Sequence, residues 1–294
     1  MINHDRRVLL GFFYKLTLFF SLVVLFFSSP FTFLKAEMPV YATDWAVLER
    51  SKLRVIAGEG VWLGKRETLV GIEVLLEPDW KTYWRQPGDA GIPPRFEFKG
   101  STNLKKAQVL YPVPNRYHEP SGLTIGYKSR VVFPVIVEAV DPLKPIKLSV
   151  SAVLGVCHDL CIPIQAEQSL EIKKPGLSPF SAALGASLAE VPVPLKADAA
   201  YGVQKAWLHK GAPSSLRFFI KTKKQTEPLE LFVESLDGLY VPTPKYVPMK
   251  GQEALMSAYH VDLSDDDVAD FENAELVCTL KFETVAFVQP CPIK

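Results

Sequence analysis

An all-β fold of two tandem β-sandwiches is predicted by three features of this 294-residue sequence. The chain holds 24 prolines and 17 glycines, which disfavours a helical bundle and suits many turns. Short β-branched runs recur between those turns. Helical periodicity in the body of the chain is confined to one segment near its middle. Hydrophobic residues make up 48% and charged residues 22%, a globular composition that excludes disorder. The net charge of +1 offers no basic surplus for a nucleic acid.

The first forty residues read as an export signal. Arg6, Arg7 and Lys15 precede an apolar run from Leu16 to Phe27, a charged region followed by a hydrophobic one. The run is shorter than the roughly 20 residues of a spanning helix. A signal peptide over residues 1–42, cleaved after Ala36 or Ala42, is therefore expected, with an uncleaved anchor as the alternative. No later segment is apolar enough to span a membrane, so the mature chain is expected in the periplasm, where disulfides persist.

Residues 43–175 read as the first sandwich. Leu69–Leu76 (LVGIEVLL), Val131–Val140 and Ile146–Val156 are nearly continuous apolar strands, and Arg95–Lys99 (RFEFK) alternates with period two. PGDAGIPP (Pro87–Pro94), PVPN (Pro112–Asn115) and EPSG (Glu119–Gly122) are turns. About seven short strands in about 120 residues suit an immunoglobulin-like sandwich. Residues 176–195 read as an interdomain helix and stiff linker, with an excursion within one large domain as the other reading. Ser178 is the N-cap, Pro179 the first helical residue, and Phe180, Ala183, Leu184 and Leu188 the apolar face, with VPVP (Val191–Pro194) as the stop. Residues 196–294 read as the second sandwich, with strands at Gly202–Lys210, Ser215–Thr222, Leu229–Ser235, Leu255–Leu263 and Ala274–Phe282. The acidic stretch Asp262–Asp270 lacks the glycine and terminal Glu of a calcium loop and reads as a solvated turn.

Four cysteines fall into two pairs. Cys157-His158-Asp159-Leu160-Cys161 is a C-x3-C segment at the end of a long apolar strand, where a bend can bring the two Cα atoms into bridging range. A structural disulfide in so short a loop is worth only about 2 kcal/mol in the chain-entropy model. Zinc lacks a fourth local ligand beside Cys157, Cys161 and His158. Haem attachment requires C-x-x-C-H. A redox dithiol and a Cu(I) site stay open, since the thiolate is both nucleophile and soft-metal ligand; His158 reads either as a group that stabilises the thiolate or as a solvent-facing residue with no role. Near the C-terminus, Cys278 and Cys291 sit on a predicted hairpin turning at Thr284-Val285, a register that sets them directly opposite each other as a structural disulfide of about 3 kcal/mol. Two separate buried thiols are the other reading of that pair.

Three blocks in the first half resemble the periplasmic N-terminal domain of the DsbD family of thiol:disulfide interchange proteins, and especially its copper-tolerance relatives of the ScsB type. They are DWKTYWRQPGDAGIPP (Asp79–Pro94), YHEPSG…YKSRVVFPV (Tyr117–Val135) and GVCHDLCIP (Gly155–Pro163). The resemblance implies an immunoglobulin-like domain whose cysteine pair, here Cys157 and Cys161, passes electrons to oxidised periplasmic proteins. Those partners include disulfide isomerases and cytochrome c maturation factors. It implies a protein-disulfide reductase component with no cofactor. The family's membrane and thioredoxin-like domains have no counterpart in these 294 residues, so the expected electron donor is a separate membrane-embedded protein. His118, Glu119, Pro120, Ser121, Gly122 and Leu123 match the family's cap region, although Pro120-Ser121-Gly122 stands where the family carries aromatics. Tyr83 and Trp84 match the aromatic wall of its site. The second sandwich is similar to the additional domain of ScsB-type proteins.

Three functions therefore compete. The first is an exported thiol–disulfide electron carrier using Cys157 and Cys161. The second is a Cu(I)-binding protein using the same pair. The third is a non-catalytic module that keeps only the fold.

Overall fold

The computed structural model describes residues 40–58, 67–89, 91–119, 122–173, 178–196, 199–222, 230–248 and 255–293. The export-signal reading of residues 1–39 and the cap positions Pro120 and Ser121 lie outside them. Both sandwiches are present, inside one compact unit, Pro39–Lys294.

The first sandwich contains β1 (Ala46–Leu48), β2 (Ser51–Ala57), β3 (Glu67–Leu76), β4 (Lys81–Gly88), β5 (Arg95–Glu97), β6 (Leu104–Val109), β7 (Asn115–Glu119), β8 (Gly122–Lys128), β9 (Arg130–Ala139), β10 (Ile146–Cys157) and β11 (Cys161–Ile172). One sheet runs β1-β2-β3-β9-β6; the other runs β11-β10-β4-β8-β7, with β5 on β10. Between them lie Leu53, Val55, Ile72, Val74, Phe133, Val135, Leu148, Leu154 and Val156. Each buried side chain of this type contributes about 1.5–3 kcal/mol. Tyr111 and Tyr127 pack edge-on against Phe133. The expected Arg95–Lys99 strand ends at Glu97, because the chain turns at Phe98–Ser101 through Gly100, whose φ of 82° suits a residue without Cβ.

The middle segment corrects two expectations. Helix α1 is Ser181–Ala189, three residues later than the predicted cap. Ser178 instead closes a turn, its hydroxyl donating to the Ala57 carbonyl at 2.6 Å and accepting from the Phe180 N–H at 3.1 Å. Nor is α1 a spacer between domains. Leu184 packs with Ile56, Leu69 and Val132 on the outer face of the β2-β3-β9 sheet, flanked by Phe180 and Leu188. A Cβ on Gly71 would stand 2.6 Å from a Leu184 methyl, so this glycine supplies the seat. Arg54 adds a second tie, its guanidinium 4.7 Å from the Phe180 ring while its Nε holds buried Glu73 at 2.6 Å. The predicted linker is also structured: β12 (Val193–Pro194) pairs in parallel with a strand near the C-terminus.

The second sandwich continues with β13 (Gly202–His209), β14 (Ser215–Lys221), β15 (Glu230–Ser235), β16 (Lys245–Val247), β17 (Met256–Asp262), the short helix α2 (Val268–Phe271), β18 (Leu276–Lys281) and β19 (Ala286–Pro290). Its sheets run β12-β19-β18-β15 and β13-β14-β17-β16, around Leu216, Phe218, Ile220, Leu231, Val261 and Leu280. Part of the acidic stretch forms α2, and Asp262 is held by Lys245 at 2.7 Å.

The Cys278–Cys291 disulfide forms, with its Cα atoms 6.0 Å apart and both residues buried. Its register differs from the expectation. Cys278 lies opposite Gln289, and Cys291 opposite Leu276, to whose carbonyl it donates at 2.8 Å. The turn closes one residue earlier, through Phe282 N–H to Val285 O at 2.8 Å. The bridge is therefore diagonal across the ladder.

Replacing Leu184 with Ala should empty the seat above Gly71 and cost about 2–5 kcal/mol, measured as a lower urea midpoint. A change within about 0.5 kcal/mol would show that the helix is not part of the first sandwich's stability.

Candidate redox site

The site stands at the end of the longest hairpin. β10 and β11 pair without interruption from Ile146↔Ile172 to Cys157↔Cys161. The two cysteines are thus the last rung, and His158-Asp159-Leu160 is the turn. Their sulfurs are bonded, with Cα atoms 4.2 Å apart. The two are unequal: Cys157 is 1% exposed, whereas Cys161 lies on the exposed side of the rung.

β4 runs beside this rung, with Lys81 opposite Cys157 and Thr82 opposite Val156. The Thr82 hydroxyl donates to the Gly155 carbonyl at 2.8 Å and fixes the register. Alternation along β4 then puts Lys81 and Tyr83 on one face. The Tyr83 hydroxyl reaches both sulfurs, 2.7 Å from Cys157 Sγ and 2.9 Å from Cys161 Sγ. A disulfide carries no hydrogen, so the phenol is the donor. Burial, and then the charge of Glu119, push its pKa up to about 12. It therefore stays protonated at neutral and mildly alkaline pH.

Two glycines make the slot for this ring. A Cβ on Gly91 would stand 2.5 Å from the Tyr83 ring, and one on Gly155 would stand 3.1 Å from it and 2.7 Å from Ile92 Cβ. The PGDAGIPP turn is thus a wall of the site through Gly91 and Ile92. Where β8 crosses, a Cβ on Gly126 would fall 2.0 Å from the Thr82 carbonyl oxygen, so the chains could not approach as they do with any larger residue.

The expected cap is the β7–β8 hairpin, with Glu119 opposite Gly122 at its tip. Glu119 reaches the site: one carboxylate oxygen pairs with Lys81 Nζ, and the other accepts from the Thr124 hydroxyl at 3.3 Å. Gly122, with a φ of 121°, packs near the Asp89 carboxylate. Leu123 is a core residue whose N–H donates to Asp89 at 2.8 Å. His118 does not join the cysteines. It is exposed on the opposite face of β7, lining a cleft with Arg116, Pro242 and Pro244 of the second sandwich. His158 also turns outward, its Nδ1 2.8 Å from the Asp159 carboxylate and its ring 6.0 Å from Trp80.

Trp84 corrects the expectation of a paired aromatic wall. It points to the other face of β4, joins the core, and meets Phe232 of the second sandwich edge-on at 5.6 Å. Around it the two sandwiches are bound by charge and backbone contacts. Arg85 makes a bidentate pair with Glu234 at 2.5 and 2.8 Å. Arg116 donates to the Leu231 carbonyl, and Tyr240 donates to Asp89 at 2.7 Å. Asp89 therefore links the second sandwich to the cap hairpin.

Lys81 escaped sequence reasoning. It is 2% exposed, and its Nζ also lies 3.5 Å from the His158 carbonyl inside the redox turn. The signal was present: a period of two puts Lys81 on the face of Tyr83.

Residues 59–173 match the family model described as "Thiol:disulfide interchange protein DsbD, N-terminal". The match lies within the first sandwich, which is therefore similar to a DsbD N-terminal domain. The chain is also similar to the N-terminal periplasmic domain of ScsB from Proteus mirabilis, with a TM-score of 0.68, 22% identity, and coverage of 86% of this chain and 98% of that one. That likeness extends the shared fold through the second sandwich. No curated protein matches the chain.

Two substitutions on neighbouring residues should separate chemistry from packing. Tyr83→Phe should leave stability within about 1.5 kcal/mol, while slowing exchange with a dithiol roughly tenfold. Trp84→Ala should lower stability by about 3–5 kcal/mol, seen in urea unfolding, and leave the intrinsic exchange of the folded fraction unchanged. Loss of exchange in a stable Trp84→Ala protein would restore it to the site.

Alkali offers a further measurement. Burial pushes the phenols of Tyr83 and Tyr240 up to about 12. An acid whose folded pKa is raised contributes stability that is full below its unfolded value near 10 and lost as pH rises towards 12. The urea midpoint of the oxidised protein should therefore fall between pH 10 and 12, and Tyr83→Phe should flatten part of that fall.

Proposed function

We propose that this chain is an exported thiol:disulfide interchange protein whose Cys157–Cys161 pair passes electrons to protein partners by dithiol–disulfide exchange. The observation that carries this reading is the asymmetric pair itself. One sulfur is buried and one is exposed, on a single rung, and a phenol that stays protonated at neutral pH donates towards both. A purely structural bridge in so short a loop would add little stability. The DsbD N-terminal match supports the same chemistry.

The burial difference supports the following division of roles. A thiolate from an electron donor attacks Cys161 Sγ, where it has access. The donor–Cys161 bond forms, the Cys157–Cys161 bond breaks, and the electron pair leaves on Cys157 Sγ, where the Tyr83 O–H stabilises it. The donor's second thiol then resolves the mixed disulfide and leaves both cysteines reduced. In the forward direction the Cys161 thiolate attacks an oxidised partner, and Cys157 resolves. Partners of this class are disulfide isomerases, cytochrome c maturation factors and copper-tolerance proteins.

The compartment follows from the same reading. Tyr41 and Ala42 are already paired to β2, with Ala57 N–H donating to the Tyr41 carbonyl at 2.7 Å. Cleavage after Ala36 keeps that bond and cleavage after Ala42 removes it, so Ala36 is the favoured end of the signal peptide.

Trapping tests the assignment. Cys157→Ala should retain a mixed disulfide with its partner through Cys161, detected by non-reducing electrophoresis. Cys161→Ala should accumulate far less, because Cys157 is buried. Replacing Cys278 and Cys291 with Ser should lower stability by about 3 kcal/mol without affecting trapping. Equal trapping by both single variants would refute the roles. A Cys157–Cys161 pair that stays oxidised in glutathione buffers well below about −300 mV would refute exchange altogether. Tight Cu(I) binding by the reduced pair, lost in Cys157→Ser, without exchange would favour the copper reading.

A further inference from the structure

The geometry points to Lys81 as a positioning residue of this exchange: its buried ammonium, shared between Glu119 and the His158 carbonyl, is the counter-charge for the thiolate that forms on Cys157. The inference rests on the exchange reading above and adds an electrostatic control to it. Lys81 lies directly opposite Cys157 in the β4–β10 pairing, and its Nζ reaches the carbonyl of the residue that follows Cys157. Its charge is therefore fixed beside the inner sulfur on the protein side, away from the exposed Cys161.

Charge balance gives that position a consequence. In the disulfide state the cluster holds Lys81 and Glu119, one positive and one negative, and is neutral. Attack at Cys161 delivers a negative charge to Cys157, in a place almost without solvent. An uncompensated charge there is costly. The Tyr83 O–H can donate to it but brings no net charge. Among the described residues Lys81 is the one fully buried cation on this face, and turning part of its interaction from Glu119 to the sulfur offsets the new charge. Glu119 acts in the opposite sense, and Thr124 keeps its second oxygen occupied. The other charged groups nearby are directed elsewhere. His158 and Asp159 pair with each other on the exposed turn, and Lys128, across from Lys81 on β8, sits 4.6 Å over the Tyr117 ring. A buried ion pair contributes little net stability compared with an apolar pair of the same volume, but removing one partner strands the other's charge. The two halves of this pair must therefore affect a Cys157 thiolate with opposite signs.

The opposite signs make the test. In the reduced full-length mature protein, alkylation rate against pH, with each cysteine read by mass spectrometry, gives the thiolate fraction at Cys157 and Cys161. Lys81→Met leaves Glu119 unpaired and should reduce the thiolate fraction at a given pH about tenfold, one unit of pKa. Glu119→Gln frees the ammonium and should raise it by a similar factor. Lys81→Arg should restore most of the wild-type profile. A purely structural pair would shift both single variants in the same direction, or leave both profiles in place, and either result would overturn the inference. If Lys81→Met does not fold, Glu119→Gln still decides: an unmoved or lowered thiolate fraction refutes the role. Wild-type protein that exchanges normally alongside unshifted variants would sink only this inference. Wild-type protein that does not exchange with any dithiol would sink the functional reading beneath it.

Discussion

The unbroken ladder between β10 and β11 is the constraint on which the site depends. Because every residue from Ile146 to Cys157 has a partner, the two cysteines arrive on the same rung and on the same face. A one-residue slip would turn one sulfur to the opposite face and prevent the bridge. The core enforces the register: Leu148, Val150, Ala152 and Leu154 of β10 point inward at every second position, as do Ile164, Ala166 and Leu170 of β11. The proposed redox chemistry therefore rests on the hydrophobic packing of a hairpin anchored far from the sulfurs.

A second layer of constraint comes from close backbone approach. Tyr83 reaches the sulfurs only because Gly91 and Gly155 leave its ring a slot and Gly126 lets β8 come close to β4. These glycines act through absent volume rather than through conformation. The outcome is a phenol sealed from water, with its hydroxyl aimed at both sulfurs of the Cys157–Cys161 bond. The same strand sends Trp84 the other way, into the contact with Phe232. β4 thus serves chemistry on one face and domain attachment on the other.

The attachment bears on the site through Asp89. One of its oxygens accepts from Tyr240 of the second sandwich, and the other from the Leu123 N–H beside the tip of the cap hairpin. Arg116 and Asn115 on β7 are likewise held by Leu231 and Lys281. The strand that carries Glu119 to Lys81 is therefore braced by the second sandwich, which gives that domain a physical connection to the redox pair without supplying a reacting group.

Much of this was legible in the residues. Turn composition and β-branched runs determined two sandwiches, and the position of C-x3-C at a strand end determined a close cysteine pair. The pairing of Cys278 with Cys291 was also set by sequence, although its ladder register was not, because a turn can close at either of two adjacent residues with the same apolar pattern. Periodicity identified the apolar face of the helix but not the surface that receives it; Gly71 and the sheet around it decided that. Nothing local distinguished Tyr83 from Trp84, and although alternation put Lys81 on the face of Tyr83, nothing local marked it as buried. Alternation assigns side chains to two faces, but which face meets the cysteines and which meets the second sandwich is fixed only when β4 docks between β10 and β8. The sequence alone determined the fold class and the close cysteine pair, because those depend on local pattern and residue chemistry. The tertiary structure alone decided the burial of one sulfur, the phenol aimed at both, and the ion pair beside them, because each requires strands distant in sequence to meet.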